Sequence, residues 1–316
     1  MNLLDPASFI EPYHLSAPAP WAGHIPFASW LVARQRPHCF VELGAYSGIS
    51  YLAFCQAIVQ QGLVTRAYAI DTWEGDAHAG QYGEHIYQTL RKAHDPHYEA
   101  FSSLLRMRFD EALPQFADGS IDLLHIDGLH TFDAVRHDFE TWLPKLSESA
   151  VVLFHDTAVR QGDFWVYRLW AELSERYPAI EFGHSNGLGV LLVGPEQPQA
   201  LLQLCKNADA AAQAQRFFGL LGARLERRVD LLALQTDYRD ALERARTEQQ
   251  AGAQRHQCIE QQDQNILALQ RQLQQSQIEL EQLRVALESL QQAKHLADVQ
   301  HQQWVEEQDQ KAILAL

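Results

Sequence analysis

The chain has 316 residues, of which 47% are hydrophobic and 21% charged, with a formal net charge of −15 at pH 7. That size leaves room for two domains, or for one domain and an appendage, and the composition is that of a globular chain. The negative balance argues against a nucleic-acid backbone as the main partner, since phosphate binding needs clustered Lys and Arg. Four scattered cysteines without CxxC spacing read as ordinary thiols of a reducing compartment, not as a disulfide frame or a cysteine zinc site.

Residues 1–35 contain "EPYHLSAPAPWAGHIPFASW" at 11–30, a stretch rich in Pro and aromatics, and read as an irregular arm ending in a short helix. The N-terminus has neither a basic n-region nor a long apolar core, and no apolar run reaches the ~20 residues that span a bilayer. A cytoplasmic chain without a secretory signal or a transmembrane segment is therefore expected. From residue 36 to 198 the pattern alternates. Apolar strand candidates are Cys39–Leu43, Ala67–Ile70, Leu104–Phe109, Ile121–Ile126, Val151–Phe154, Ile180–Phe182 and Leu188–Val193. Helical candidates between them are Ser50–Gln61, Gly83–Ala93, Thr131–Leu143 and Asp163–Arg176. Such alternation predicts an α/β domain with a doubly wound, mostly parallel, seven-stranded sheet. The short loop "GHSNG" before the last strand predicts a hairpin and an antiparallel final strand.

Residues 199–250 are Ala-, Leu- and Arg-rich and read as a helical connector. Residues 251–316 are dominated by Gln. Within them Ile266, Leu269, Leu273, Leu280, Leu283, Leu287 and Leu290 recur at steps of three and four, with Ser276, Lys294 and Ala297 in the same register. This heptad stripe predicts a coiled coil and hence a homo-oligomer, either dimer or trimer. At ~1.5 Å per residue the 266–297 stretch would be about 48 Å long, too long to pack on one small domain. The sequence ends at "KAILAL" with no capping signal, so the rod is expected to continue in a longer parent or to belong to a fragment.

The segment "HCFVELGAYSGIS" places glycines where a strand turns into a helix. In a doubly wound sheet such a turn, at the carboxyl edge of a strand, makes a ligand crevice. Gly44 and Gly48 do not complete the GxGxxG of dinucleotide enzymes, and Glu42 would repel a pyrophosphate. A carboxylate there suits the ammonium of an amino-acid tail, directly or through a water. Pattern and charge thus favour S-adenosyl-L-methionine over a nicotinamide cofactor, with Glu42, Gly44, Ala45, Tyr46 and Gly48 in the first turn. Asp71, followed by Thr72 and Trp73, ends the second strand where an acid accepts hydrogen bonds from the ribose hydroxyls of an adenosine. The bland alternative is that Glu42 and Asp71 only cap loops. Phe109 and Asp110, at the end of the third strand, are candidates to stack on and hydrogen-bond an adenine.

The richest segment is "SIDLLHIDGLHTFDAVRHDFETWLPKLSESAVVLFHDT". Two neighbouring strands end at Asp127 and at His155-Asp156, so Asp127 and Asp156, with His155 close by, could converge on one divalent cation. Oxygen ligands suit magnesium, and an added imidazole tilts the site toward manganese, iron or zinc. The rival is a metal-free site in which both acids are structural. A bound cation would lower the pKa of an acceptor hydroxyl, and His130, with Asp127, is the candidate general base. His125 reads as a buried, hydrogen-bonded strand residue, and His137, Asp138 and Glu140 read mostly as a solvated helix face. Trp21 and His24 either fold over the acceptor or anchor the arm to the core.

"FVELGAYSGISYLAF", "AIDTWEGD", "LLHIDGLHTFDAVRHDFETWLPKL" and "VVLFHDT" together resemble the class I S-adenosylmethionine-dependent methyltransferases. The likeness is greatest to the group found beside or fused to glycosyltransferases in bacterial surface-polysaccharide loci. The resemblance spans about residues 20–195. It implies a Rossmann-like sheet with a reversed last strand and methyl transfer from S-adenosylmethionine. The acceptor it implies is a small molecule or glycan, with glycosyltransferases as candidate partners and a sugar or glycan hydroxyl as the expected site of O-methylation. In macrolide-sugar and cephalosporin-pathway relatives, metal-binding acids occupy these two strand ends, and Asp127 to His130 matches their Asp-x-x-His. Two departures stand out: His155 replaces an expected acid, and "SESA" at 147–150 replaces a glycine pair. The competing reading is a catalytically inactive methyltransferase-fold scaffold serving the rod. A nicotinamide-dependent sugar enzyme is disfavoured by the missing GxGxxG.

Overall fold

The computed structural model describes residues 2–78, 80–249 and 256–314. After 3₁₀ turns at Pro6–Phe9 and Ala22–His24, the chain forms α1 (Ile25–Gln35), β1 (Cys39–Leu43), α2 (Ile49–Gln60) and β2 (Arg66–Asp71). A small hairpin of β3 (Gly75–Asp76) and β4 (Gly80–Gln81) precedes α3 (Glu84–Tyr98), β5 (Ser102–Arg106) and α4 (Phe109–Ala112). Then come β6 (Ile121–Ile126), α5 (Phe132–Trp142), β7 (Leu146–His155), α6 (Val166–Ser174), β8 (Ala179–Phe182) and β9 (Leu188–Leu192). Three helices follow: α7 (Gln199–Lys206), α8 (Ala208–Gln249) and α9 (His256–Leu314).

Seven strands form one sheet in the order β5-β2-β1-β6-β7-β9-β8. The first five are parallel, and β9 runs antiparallel to both β7 and β8. The doubly wound sheet with a reversed last strand is thus observed, with β9 inserted between β7 and β8. β6 is buried at every residue, as a strand covered on both faces requires. Several element ends differ from the sequence pattern: β7 begins already at Leu146 and α3 runs on to Tyr98. β5 stops at Arg106, so Phe109 and Asp110 begin a short helix instead of ending a strand. α6 starts at Val166, which leaves Asp163 in the loop after β7.

The first compact unit runs to Ala233 and the second spans Leu234–Leu316. The first includes part of the stretch read as a connector, because Leu201, Leu204, Phe218, Leu221, Leu225 and Val229 are buried. Phe218 meets Phe27 of α1 and Phe182 of β8 edge to face. In the second unit α9 is a 59-residue helix. Its stripe residues Ile266, Leu269, Leu273, Ser276, Leu280 and Leu287 are half-buried, whereas the stripe's Leu283 and Lys294 are exposed, as are Leu267, Ile278 and Val285 off the stripe. The stretch 250–255, residues 315–316 and the side chains of Leu290 and Ala297 lie outside what is described. Among the described residues no helix is long and apolar enough to cross a membrane.

The arm packs into the core, and its residues Pro18–Trp21 also line a cavity at the strand tips. Residues 25–32 of α1 are all buried, and the helix packs against α2. Trp21 Nε1–H donates to His125 Nε2 at 3.1 Å. Because the indole can only donate, that nitrogen is an acceptor and His125 carries its proton on Nδ1. Nδ1–H in turn donates to Glu42 Oε2 at 2.9 Å, and Ser50 Oγ donates to Glu42 Oε1 at 2.9 Å. A chain of bonds therefore ties the arm, β6, β1 and α2 together in the interior. Burial pushes the Glu42 carboxyl up, against the opposing bonds from His125 and Ser50.

Gly44 has φ +87°, and a Cβ there would lie 2.2 Å from the carbonyl oxygen of Asp127. Gly62 has φ +59° and open space around the same position. Gly44→Ala should therefore cost about 3 kcal/mol or more and Gly62→Ala about 1 kcal/mol, measured by urea denaturation. Glu42→Ala should cost about 2–3 kcal/mol by stranding His125 Nδ1–H and Ser50 Oγ–H, while Glu42→Gln, which keeps an acceptor, should cost less than half of that. Equal losses in the two Glu42 variants would contradict this account.

Candidate active site

The register Leu43↔Ile70, Leu43↔Ile126 and Ile126↔Phe154 aligns the carboxyl ends of β2, β1, β6 and β7. Asp71, Gly44, Asp127 and His155-Asp156 therefore stand side by side along one edge. They line a cavity of about 720 Å³. Its wall includes Gly44, Ala45, Tyr46, Asp71, Thr72, Phe109, Asp110, Asp127, His130, His155 and Asp156 from the sequence-derived set. Glu42, Gly48 and Trp73 stand behind that wall. Glu42 is fully buried and its two oxygens are taken by His125 and Ser50. Gly48, with φ +80°, lets α3 close on the turn, since a Cβ there would strike Leu90 Cδ1. Trp73 is buried and its indole N–H donates to Tyr46 O at 2.9 Å.

Asp71 locks the glycine turn. Its Oδ2 accepts from Ala45 N and Tyr46 N, both at 2.9 Å, and its Oδ1 accepts from Trp73 N at 2.7 Å. The loop-capping role is therefore real, and Asp71 lines the cavity as well. Asp138 is a correction to the solvated-face reading. Thr131 Oγ1 caps α5 by accepting from Ala134 N, and one helical turn on, His137 and Asp138 reach the cavity wall. Asp138 is buried near Gly128, and burial pushes its carboxyl up to about 7. His137 Nε2 lies 2.9 Å from Asp110 Oδ1.

At the other end, His130 Nε2 is 2.8 Å from Asp156 Oδ2 and 3.5 Å from Asp127 Oδ1. One ligand atom from each of these three residues falls within 4.8 Å of the others, a geometry fit to hold a metal ion. His130 Nε2 and Asp156 Oδ1 are buried without an aligned hydrogen-bond partner, so the donor set still has unmet capacity. Two carboxylates and an imidazole suit manganese or iron as well as magnesium. His155, also expected as a ligand, stands beside this group of three and not in it. Its Nδ1 lies 3.1 Å from Asp127 Oδ1 and its Nε2 3.1 Å from the Ser185 carbonyl, so both nitrogens face acceptors and both donate. His155 orients Asp127, and His130 supplies the imidazole of the cluster. Burial opposes charge on all three groups, but their mutual attraction wins. Asp127 is held well below the usual carboxylate range by His155 and His130, His155 is raised by Asp127 and Asp156, and His130 is raised to about 10 by the same two acids. Asp156 itself has φ +59°, a left-handed conformation that aspartate tolerates and that turns its carboxylate back toward His130.

Pattern reading missed His78, in the hairpin turn, and Asp163 and Phe164, in the loop after β7. The rings of His78 and His130 are 5.5 Å apart and near-parallel, and Phe164 stacks on both. No local spacing links positions 78, 130 and 163, so only the fold could bring them together.

Residues 41–157 match the family model described as a methyltransferase domain. The uncharacterized protein y4gI of Sinorhizobium fredii is 46% identical over 207 residues, which cover 66% of this chain and 23% of that protein. The chain thus spans about a quarter of the length of this curated relative. Among solved structures, a putative caffeoyl-CoA O-methyltransferase from Staphylococcus aureus is similar at 15% identity and TM-score 0.43, over 54% of this chain and 82% of its own. The O-methyltransferase TomG of Streptomyces achromogenes, solved with S-adenosylmethionine, is similar at 16% identity and TM-score 0.41, over 57% of this chain and 82% of its own. The methyltransferase-domain match thus spans β1 to the end of β7, a little over a third of the chain.

Proposed function

We propose that the chain transfers a methyl group from S-adenosylmethionine to a hydroxyl of a sugar or glycan. The observation that carries this reading is the strand-tip cavity. Asp71, Asp76, Asp110, Asp127, Asp138 and Asp156 line it, with Arg108 the one Lys or Arg side chain in its wall among the described residues. Such a cavity favours a ligand with a sulfonium and an ammonium over a phosphate-bearing one. Gly44, Ala45 and Tyr46 offer bare backbone to the nucleoside, Asp71 and Thr72 meet the ribose, and Phe109, Asp110 and Asp138 take the adenine end. Glu42 acts on the amino-acid tail from behind the wall, through Ser50, which does line the cavity. Tyr46 and Tyr82, edge to face at 5.0 Å, give the aromatic surface against which a sugar ring packs.

The cofactor supplies an electrophilic methyl on sulfur. The chain's own residues hold the acceptor oxygen in line with it and remove the hydroxyl proton. Asp127, His130 and Asp156 form the proton-handling cluster. They would also hold a divalent cation, which supplies Lewis acidity toward the acceptor oxygen. His155 keeps Asp127 ionised and fixed in direction. Oligomerisation through the α9 heptads belongs to the same proposal, supported by the heptad register, and association with glycosyltransferases rests on the sequence resemblance alone.

Calorimetry with S-adenosylmethionine should give micromolar binding. Asp71→Ala should weaken it at least ~10-fold. Asp127→Asn should keep the affinity within ~3-fold and lower methyl transfer to glycan acceptors by ~10²–10⁴. Absence of binding by the wild-type chain would favour the inactive scaffold instead.

Asp138 gives a separate pH test. An acid whose folded pKa is about 7, against an ordinary 3.8, binds its proton more tightly when folded. Its contribution is therefore most favourable in acid and is lost as pH rises from about 4 to about 7. Asp138→Asn should stabilise the protein more at pH 8 than at pH 5, by about 2 kcal/mol, in thermal or urea unfolding. An equal effect at both pH values would contradict it.

A further inference from the structure

His78 stands behind the cluster, on the side of His130 away from Asp156. Its side chain is 7% exposed although it belongs to a surface hairpin. Its ring stacks on Phe164 at 4.4 Å with a 19° interplanar angle, and Phe164 stacks on His130 at 4.6 Å and 9°. Nε2 of His78 lies 2.8 Å from Asp163 Oδ1. Nδ1 of His78 faces His130 twice: its backbone N at 3.4 Å and its ring Nδ1 at 3.3 Å.

These contacts fix the protons. A backbone N–H can only donate, so His78 Nδ1 carries a lone pair. The His78 proton is then on Nε2, where the Asp163 carboxylate accepts it. A ring nitrogen that faces the lone pair of His78 Nδ1 must itself bear a proton, so His130 is protonated at Nδ1. The other nitrogen of His130, Nε2, points at Asp156 and Asp127. Without His78, the ring could present either nitrogen to the cavity, or turn about its Cβ–Cγ bond.

We propose that His78, held by Asp163, is a positioning residue that fixes the ring plane of His130, so that Nε2 and not Nδ1 faces the cavity. This rests on the methyltransferase reading for its purpose, but its geometry can be tested apart from activity. The general rule is that the partner of one imidazole nitrogen decides what the other can do. The device also couples two loops to the chemistry: the β3–β4 turn brings His78, and the β7–α6 loop brings Asp163 and Phe164. Trp165 N, next in that loop, donates to the His130 carbonyl at 2.8 Å and holds the backbone in place.

The test is imidazole ¹⁵N NMR on the full chain labelled at histidine. In the wild type, a scalar coupling across the N–H···N bond should connect Nδ1 of His130 with Nδ1 of His78. His130 Nδ1–H should exchange slowly with solvent. His78→Asn places an oxygen acceptor where Nδ1 stood and should keep that slow exchange while losing the coupling. His78→Phe keeps the stack on Phe164 without an acceptor and should speed the exchange about 10-fold or more. Calorimetry with S-adenosylhomocysteine, run on the same samples, should give one affinity for all three proteins and so confirm that they are folded. A wild-type His130 lacking the Nδ1 proton, or equal exchange in His78→Phe and wild type, would overturn the inference. Failure of the wild type to bind S-adenosylhomocysteine would instead sink the methyltransferase reading, with the coupling still there to be measured.

Discussion

The site depends on how closely the backbone after β1 approaches the backbone after β6. Asp127 N donates to Leu43 O at 2.8 Å, and Gly44 N donates to Ile70 O at 2.9 Å. The tips of β2, β1 and β6 are thereby bonded one residue past the point where sheets often splay. That continuation is open only to a residue without a Cβ, because any side chain at 44 would enter the Asp127 carbonyl. With the tips held together, Asp71 reaches across to the amides of residues 45 and 46, and Asp127 is delivered to the same cavity.

Acids gathered so tightly need partners, and the chain meets that need with imidazole. Glu42 is bonded to His125, Asp127 to His155, Asp156 contacts His130, and Asp163 is bonded to His78. A buried carboxylate left alone would lose its hydration without compensation. Arg or Lys would also satisfy it, but would fix a full positive charge beside the cavity. Histidine gives the hydrogen bond and leaves the protonation state adjustable. In His125 the indole of Trp21 shows that the ring is neutral on its Nε2 side, while in His155 two acceptors require two N–H groups. One residue type thus serves two electrostatic roles on adjacent strands. The outcome is a cavity whose acids are ordered without being swamped by cation, which suits a positively charged methyl donor.

The N-terminal arm and the first part of α8 stabilise this edge from outside. Ser185, in the turn between β8 and β9, accepts through its carbonyl from His155 and from His24, and its hydroxyl bonds Glu226 of α8. Glu11 of the arm is paired with Arg224 and Arg228 of the same helix. Segments that look like appendages in the sequence therefore complete the packing behind His155.

Much of this was written in local pattern. Alternation of apolar runs and helical stretches set out the strands of a doubly wound sheet, and acids after strands are recognisable because strand ends in such sheets face one crevice. On that basis Asp71, Asp127, His130 and Asp156 could be named from sequence, as could the heptad register of the last helix. What the pattern left open was direction and depth. Glu42 alternates into the interior and not into the crevice, because the arm's Trp21 and His125 occupy the space beneath it. His155 turns both nitrogens to acceptors, and Asp138 faces inward because the Thr131 cap sets the phase of α5. His78 and Asp163 lie 85 residues apart, in a two-residue hairpin and a loop that carry no periodicity. Their pairing with His130 exists only once seven strands have been ordered, since long-range contact is a property of the closed chain and not of any window along it.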